Sequence, residues 1–526
     1  MEVKSMANDH NHEHTAHTQH NGDNDAQQLS TLGYEPQLKR NFGFFSVLGL
    51  TTTVMATWEA FSVVFVSVLT NGGAVALIYG FVFCFIGTLA TCLSLAEFAS
   101  MSPTSAGQYL WAAELAPKQH RRFISWLFGW VTFWGWQLTT ASPAFLAATI
   151  IQALLVLNHP DTYVYQRWHG SLIYWLITLL GVAINVTFAK FLPKMEGFLF
   201  IWHVVGFFAV LIPLVYLGPQ NTASFVFTSS ADAGAWSSMS TGLAFCVGLV
   251  TSTFPFVGYD AAAHMSEEIK DAAKVVPRAM VATILINGAL GFAMIIALLF
   301  SMGDIEAVFE APVSQAGYPF IQVYYQAVKS LNGTNAMVSV TLVIVIFANW
   351  GLLAGASRTT WAFARDRGLP ASDYLAYVNP RSQLPVRSII LCIIIQLLLG
   401  LINIGSTAAF NAFVNSAAVT LYISYITPVV LGVWKRMRRE PIAYGPFQLG
   451  RWRNLLNGIA IVYTFFTCIF LFFPAAPNPT PAAMNWSIVL VGAVFVFAIF
   501  WWFVQGRKTF IGPKSEVDEM GHRAME

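Results

Sequence analysis

The sequence predicts an all-α membrane protein in which twelve transmembrane helices form two inverted repeats. Only 10% of the 526 residues are charged, which is about half the proportion found in soluble proteins, and the mean hydropathy is +0.59. Apolar runs of about 20 residues, the length that crosses a bilayer, alternate with short polar loops. Two of these runs, in corresponding halves of the chain, are interrupted by polar residues. Such a pair points to the binding site of a transporter.

Twelve apolar runs give the predicted order of the spans. They cover residues 44–70, 73–99, 123–157, 170–188, 197–218, 239–263, 279–301, 336–363, 386–404, 408–434, 454–474 and 485–505. The first five spans (about 44–218) and the next five (about 239–434) are the predicted repeats. Because five is odd, the second repeat enters the membrane from the opposite side. Helices 11 and 12, at 454–505, lie outside the repeats and complete a transporter domain at 41–505.

The distribution of positive charge predicts the orientation. Of the 28 Lys and Arg residues, all except Arg167 and Lys329 lie on one side of the predicted membrane, in the tails, the loops or the ends of spans. The positive-inside rule makes that side cytoplasmic, together with both termini. Residues 1–40 are polar and predict a disordered cytoplasmic tail, and 506–526 form a second tail. The sequon at Asn332 lies in a predicted external loop and is a glycosylation candidate.

The composition gives little support to other kinds of function. The N-terminal tail carries a histidine run without a fixed ligand geometry, which favours a solvated tail over a metal site. We therefore expect no metal and no cofactor. No P-loop, HExxH or catalytic Gly-x-Ser-x-Gly motif is present, so neither ATP-driven transport nor an enzyme is expected. The predicted partners are a lipid bilayer and a small-molecule substrate, and no nucleic acid.

The first interrupted run contains Thr51, Thr52 and Thr53, followed by Thr57, Trp58 and Glu59. Threonine loses rotamer freedom in a helix, and its hydroxyl competes for backbone hydrogen bonds. Three in succession predict a local break at the level of the membrane. The alternative is close helix packing through small polar residues.

The second interrupted run contains Phe254-Pro255-Phe256-Val257-Gly258-Tyr259-Asp260. Proline removes one helical hydrogen bond, and glycine loosens the turn that follows. Unpaired backbone inside a membrane is tolerated only where it is buried in protein or lines a wet cavity. The sequence therefore predicts a second break here, and the alternative is a simple proline kink.

Two carboxylates and several aromatic residues accompany the breaks. Ionisable residues at membrane depth are functional candidates, so Glu59 and Asp260 are expected to face a substrate amine or to carry a coupling proton. The alternative for both is a pair within the bundle or a place at the membrane face. Aromatic faces attract ammonium ions, although any one ring could equally be packed in the core. The aromatic candidates are Trp58, Phe254, Phe256, Tyr259 and Trp350.

Three motifs, in this order along the chain, resemble signatures of the amino acid–polyamine–organocation permeases. They are Ser102-Pro103-Thr104-Ser105-Ala106-Gly107-Gln108-Tyr109; Phe256-Val257-Gly258-Tyr259-Asp260 with His264-Met265-Ser266-Glu267-Glu268 and Val276-Pro277-Arg278; and Ser357-Arg358 with Phe363-Ala364-Arg365-Asp366-Arg367-Gly368-Leu369-Pro370. Segments such as Leu38-Lys39-Arg40-Asn41-Phe42 and Thr57-Trp58-Glu59 are similar to fungal permeases of the choline/γ-aminobutyrate group. Unlike many members, this chain has threonines instead of glycines near the first break.

The resemblance implies a leucine-transporter-type fold with discontinuous helices 1 and 6. It also implies uptake of a small amino acid or amine, such as γ-aminobutyrate or choline, by proton symport across the plasma membrane. The vacuolar membrane, a non-transporting nutrient receptor, and an exchanger for another amino acid, polyamine or small metabolite remain alternatives. The predicted substrate-binding residues are Thr51, Thr52, Thr53, Thr57, Trp58, Glu59, Phe254, Phe256, Gly258, Tyr259 and Trp350. Glu59 and Asp260 are the candidates for ion coupling.

Overall fold

The structure is a computed structural model that describes residues 24–69, 71–230, 236, 238–315, 317–474, 476–481 and 484–513. Regular structure in these residues is helical, apart from two isolated bridges, Phe42 with Ile269 and Asn379 with Leu384. The histidine run of the N-terminal tail and most of the C-terminal tail lie outside the described residues.

The helices follow one another with short connections. In chain order they are α1 (24–31), α2 (Phe44–Met55), α3 (Thr57–Leu69), α4 (Gly73–Met101), α5 (Gln108–Leu115), α6 (Arg121–Asn158), α7 (Arg167–Val182), α8 (Leu192–Leu217), α9 (Ala223–Thr228), α10 (Thr241–Thr251), α11 (Ala261–His264), α12 (Ala272–Ser301), α13 (Ile305–Glu310), α14 (Pro312–Gln315), α15 (Pro319–Val328), α16 (Leu331–Arg365), α17 (Ser372–Leu375), α18 (Val386–Gly405), α19 (Thr407–Met437), α20 (Arg453–Leu471), α21 (Ser487–Trp501) and α22 (Arg507–Thr509).

Eleven helices of the described part are long and apolar enough to cross a membrane. Each corresponds to one of the predicted spans. The first predicted span, 44–70, is not among the eleven because it is divided into α2 and α3, which have 12 and 13 residues. The architecture is that of an all-helical polytopic membrane protein, as the sequence predicts.

One face of α8 shows how the sequence separates lipid from core. Ile201, Val205, Phe208 and Ile212 are exposed, and their spacing of three to four residues places them on one face of the helix. Exposed apolar side chains in that pattern suit contact with lipid. The opposite face of α8 is buried, and it carries polar residues that are important below.

The folded part of the chain begins earlier than the sequence predicts. Residues 24–31 form a helix inside the tail predicted to be disordered. The Asp25 carboxylate accepts hydrogen bonds from the backbone N–H groups of Asp271, at 2.8 Å, and Ala272, at 3.2 Å. These groups lie at the start of α12, where N–H groups lack helical partners. Capping of that helix holds the segment in place, and residues 1–23 lie outside the described residues.

The glycosylation candidate lies in the first turn of α16. The side chain of Asn332 is exposed. The hydroxyl of Thr334, which completes the sequon, is buried and donates to the Ser330 carbonyl at 2.9 Å. Modification at Asn332 remains a prediction.

Candidate functional site

The first predicted span is interrupted at one residue, Ala56. α2 ends just before it, and Ala56 adopts a left-handed conformation with φ 43° and ψ 48° before α3 begins. A left-handed conformation costs about 1–2 kcal/mol for a residue with a Cβ. The helix is therefore discontinuous at this point, as the fold prediction requires, and it uses alanine where glycine would be less strained.

The threonines that were predicted to cause this break lie inside α2 instead. Thr51, Thr52 and Thr53 are helical and buried. The Thr51 hydroxyl donates to the Val47 carbonyl at 3.0 Å, and this back-bonding allows threonine to remain in a helix. The predicted position of the break was therefore wrong by three residues, because the backbone of Ala56 interrupts the helix.

The second predicted break coincides with the proline and glycine of the sixth span. α10 is followed by a 3₁₀ turn at Phe254–Phe256, and Gly258 has φ 104° before α11 begins. A Cβ on Gly258 would lie 2.8 Å from Val54 Cγ1 in α2. Both the positive φ and this close approach require glycine.

The two breaks are in direct contact. The Thr57 hydroxyl donates to the Pro255 carbonyl at 2.8 Å. On the other side, the Asn287 amide of α12 donates to the Thr52 carbonyl at 3.3 Å and accepts from the Thr57 N–H at 3.4 Å. One side chain thus satisfies backbone groups on both sides of Ala56. Asn287 is not among the predicted site residues, although a lone amide in the apolar seventh span is a signal of function.

Four hydroxyl groups on the broken segments have no hydrogen-bond partner among the described residues. They belong to Thr52, Thr53, Ser252 and Tyr259, and all four side chains are buried. Buried polar atoms are nearly always paired in folded proteins. These hydroxyls are therefore available to a polar molecule bound at the breaks.

Glu59 is paired within the protein. Its Oε1 lies 2.8 Å from His203 Nδ1 on α8, and both side chains are fully buried. The Trp58 indole donates to the His203 carbonyl at 3.3 Å, and its ring contacts Phe207. In this conformation Glu59 is therefore paired within the helix bundle, which is the alternative that the sequence left open. His203 is not among the predicted site residues. Its only signal in the sequence is that it is an ionisable residue within an apolar run.

Asp260 lies at the centre of a buried polar cluster on the other side of the second break. Its carboxylate accepts from the Tyr425 hydroxyl at 2.5 Å, the Gln108 amide at 2.7 Å and the Trp136 indole at 3.3 Å. His264 Nε2 lies 3.3 Å from the same carboxylate. Donors from three other helices and a histidine one turn away compensate the charge of this group.

The predicted aromatic residues do not form one continuous wall. The Phe256 ring packs between Phe61 and Phe81, with its centroid 5.0 Å from that of Phe81. Tyr259 packs on Tyr425 at 5.1 Å, and Phe254 is only partly buried. Packing within the core accounts for Phe256 in particular.

Trp350 lies apart from the breaks. Its indole donates to the Ile177 carbonyl of α7 at 3.1 Å. The next residue, Gly351, is the one that faces α2, because a Cβ there would lie 3.1 Å from Leu50 Cδ1. The structure therefore does not bring Trp350 together with the other predicted binding residues, since its side chain lies on a different face of α16.

The three signature motifs meet at the side of the molecule that the charge distribution predicts to be cytoplasmic. Arg365 Nη1 lies 3.0 Å from Glu267 Oε2, and the Ser105 N–H donates to the same carboxylate at 3.0 Å. Arg358 Nε donates to Glu268 at 2.6 Å. We call these five residues the inner latch. It links the loop after α4 to the segment after α11 and to α16.

A second polar group extends the inner latch to the N-terminal segment. The Asp366 carboxylate accepts from the hydroxyls of Tyr34, at 3.1 Å, and Tyr109, at 2.9 Å. The Arg365 guanidinium lies 3.8 Å from the centre of the Tyr34 ring. Burial raises the pKa of the Asp366 carboxyl from 3.8 to about 6. Residues far apart in sequence thus close one end of the helix bundle together.

Comparison with known proteins agrees with this architecture. The profile of the amino acid permease family matches residues 42–494. A Macrophomina phaseolina protein named as a candidate amino acid/polyamine transporter is 32% identical, over 84% of this chain and 96% of that protein. The choline transporter of Saccharomyces cerevisiae is 28% identical over 93% of this chain and 85% of its own length. The amino-acid permease BAT1 of Arabidopsis thaliana is 29% identical over 93% of this chain and 96% of its own length.

These similarities cover the broken helices, the inner latch and nearly all of the spans. They confirm the resemblance found in the three motifs and establish that small-molecule transport is the activity of the family. The chain therefore belongs to the amino acid permease family, within the amino acid–polyamine–organocation superfamily.

Proposed function

We propose that the chain is a secondary active transporter that takes up a small amino acid or amine by proton symport. The observation that carries this proposal is the contact between the two helix breaks. Around it lie the hydroxyls of Thr52, Thr53, Ser252 and Tyr259, which have no partner in the described part of the chain. Discontinuous helices supply backbone and side-chain groups that bind a polar substrate near the middle of the membrane. The relatives named as amino acid permeases and a choline transporter support the same class of substrate.

The charges near the breaks favour a zwitterion over a simple cation. Glu59 is paired with His203, and Asp260 already accepts three hydrogen bonds. A cation such as choline needs a free carboxylate or an aromatic cage, whereas the rings of Trp58 and Phe256 are packed against the protein. A zwitterion carries its own counter-charge and requires only neutral polar partners. We therefore place γ-aminobutyrate ahead of choline.

Transport proceeds by alternating access around the breaks. α2 and the segment after Gly258 are the mobile halves, and both pack against α16. Opening towards the cytoplasm requires release of the inner latch, whose ion pairs join the segment after α11 to α16. The proposed location is the plasma membrane, with both termini cytoplasmic.

Uptake in transport-deficient cells tests this proposal. The panel contains radiolabelled γ-aminobutyrate, choline, ethanolamine, lysine and a polyamine, with surface expression verified for each culture. We expect uptake of γ-aminobutyrate that collapses with a protonophore and does not depend on sodium. Efficient choline uptake without amino acid uptake would overturn the choice of substrate. Signalling without uptake of any compound would favour a nutrient receptor, and uptake only from preloaded cells would favour an exchanger.

A further inference from the structure

The buried face of α8 carries two ionisable residues, one beside each half of the broken first span. Glu196, Leu199 and His203 are buried and are spaced by three and four residues, which places them on one side of the helix. The two ionisable residues are seven positions apart, or about 10 Å along the axis. The nearby Lys190 and Lys194 are exposed and do not share this face.

The His203 end of this face is in contact with α3. His203 Nδ1 is bonded to Glu59, yet His203 Nε2 and Glu59 Oε2 have no hydrogen-bond partner among the described residues. The other titratable group close to this pair is Tyr324 of α15, which donates to Ser62 Oγ at 3.4 Å. When the pair holds a proton, the imidazolium and the carboxylate neutralise each other. The protonated pair therefore needs no further counter-charge.

The Glu196 end lies in a narrow slot between α2 and α16. The backbone carbonyl of Glu196 lies directly against Gly49. The side-chain Oε1 of Glu196 would lie 3.5 Å from a Cβ on Gly351. The Glu196 side chain makes no hydrogen bond or ion pair with any residue that the structure describes, and Oε2 is buried without a partner. A carboxyl in such surroundings is far more stable neutral than ionised.

An apolar barrier separates the two ends. Ala56, Leu199 and Ile344 form a buried cluster at the level of the break in the first span. Ala56 is the residue at which α2 and α3 separate. Movement of α2 about Ala56 would thus open the barrier and expose the slot that holds Glu196.

We propose that this face of α8 carries the coupling proton, which is received by the Glu59–His203 pair and released to the cytoplasm by Glu196. The inference rests on the proposed proton symport and names the groups that perform it. Glu196, neutral while it is buried, releases its proton to the cytoplasm when α2 moves and exposes the slot. The proton on His203 Nε2 then crosses the opened barrier through solvent water and binds the Glu196 carboxylate, and the Glu59–His203 pair takes up a new proton from the outside. Each cycle moves one proton inward and returns both groups to their starting state.

Purified protein in liposomes separates this role from a structural one. Glu196→Gln preserves the shape of the neutral carboxyl but cannot release a proton. The probe is radiolabelled γ-aminobutyrate, or choline if that is what the wild-type protein takes up. We expect exchange across liposomes preloaded with the same compound to stay within twofold of wild type. Accumulation driven by an imposed proton gradient should fall at least tenfold. Glu306→Gln, at an exposed carboxylate, is the matched control.

Two results would overturn the inference: gradient-driven accumulation by Glu196→Gln at the wild-type rate, or equal loss of exchange and accumulation. If the wild-type protein exchanges substrate but never accumulates it in a proton gradient, the proposed symport itself fails.

Leu199→Ala provides a second test that needs no substrate. Opening of the barrier should produce a proton leak into empty liposomes that contain a pH-sensitive dye. The leak should disappear in the double variant with Glu196→Gln. A leak that persists in the double variant contradicts a path through Glu196.

Discussion

At the scale of single residues, His203 changes the interpretation of Glu59 most. From sequence, Glu59 could face a substrate amine, carry a coupling proton or pair within the bundle, and the structure buries it against a histidine 144 positions away. Only the fold brings such distant residues together, so the sequence could indicate that His203 was unusual in its span but could not predict its partner. The same holds for Asn287, which bridges both sides of Ala56.

The Glu59–His203 pair predicts a strong energetic coupling. Glu59→Gln and His203→Gln should each lower the free energy of unfolding by about 1–3 kcal/mol, because each leaves a buried group without its partner. The double variant should lose clearly less than the sum of the two, with a coupling of at least about 0.5 kcal/mol. Denaturation followed by tryptophan fluorescence measures both terms. Additive losses would show that the two groups do not interact.

Glu114 lies outside the membrane spans, and its environment predicts that the stability of the protein depends on pH. Burial raises the pKa of its carboxyl from 4.5 to about 7, although the Ser102 hydroxyl bonded to it acts in the opposite direction. The folded protein therefore keeps this proton where the unfolded chain has lost it. The free energy of unfolding should consequently fall as the pH rises from 4.5 to about 7.

Glu114→Gln tests that dependence because glutamine stays neutral. Thermal unfolding of the variant should change less between pH 5 and pH 8 than that of the parent, by about 2 °C or more. Glu306→Gln, which removes an exposed carboxylate, should keep the parent's profile. Identical profiles for the parent and Glu114→Gln would contradict the assignment.

At the scale of elements, the two breaks differ in how well the sequence predicts them. Pro255 and Gly258 predict the second break, because proline removes a helical hydrogen bond and glycine readily adopts a positive φ. The first break has no such residue. The left-handed Ala56 is held by its surroundings, namely the packing of Leu199 and Ile344 and the bridge from Asn287. Local sequence could therefore predict a break in this span but not its position.

The strained backbone of Ala56 predicts opposite results for two substitutions. Ala56→Gly should preserve uptake, because glycine adopts left-handed conformations without cost. Ala56→Val should reduce uptake at least fivefold and lower the melting temperature, because a β-branched residue strongly disfavours this conformation. Ala60→Val, within the regular helix α3, should have a much smaller effect on uptake and melting temperature. Equal uptake by the valine and glycine variants at position 56 would exclude a role for the left-handed backbone.

At the scale of the whole molecule, the three signature motifs have one structural meaning. They are far apart in sequence, but residues of all three converge in the inner latch. The N-terminal segment contacts Asp366 through Tyr34 and the start of α12 through Asp25. The motifs allowed the family and the fold class to be predicted from sequence. The involvement of residues 24–40 could not be, because a polar, low-complexity composition conceals contacts that form only against other helices.

The inner latch predicts that one arginine controls access from the cytoplasmic side. Arg365→Ala leaves the Glu267 carboxylate buried without its ion pair, which is strongly unfavourable. A cysteine placed at Ser105, which is fully buried, should then react at least fivefold faster with a membrane-impermeant thiol reagent in inside-out vesicles. Arg367→Ala removes a surface ion pair with Asp373 and is the matched control. An unchanged rate in Arg365→Ala would show that the latch does not hold this end closed.

The central claim is that the contacting helix breaks serve proton-coupled uptake of a small zwitterion. Its most direct test is the purified wild-type protein in liposomes with an inwardly directed proton gradient and radiolabelled γ-aminobutyrate outside. We predict accumulation above the external concentration, which a protonophore abolishes and which sodium does not replace. Failure to exceed equilibrium in the proton gradient, while a sodium gradient drives accumulation or the protein only exchanges substrate, would contradict the claim.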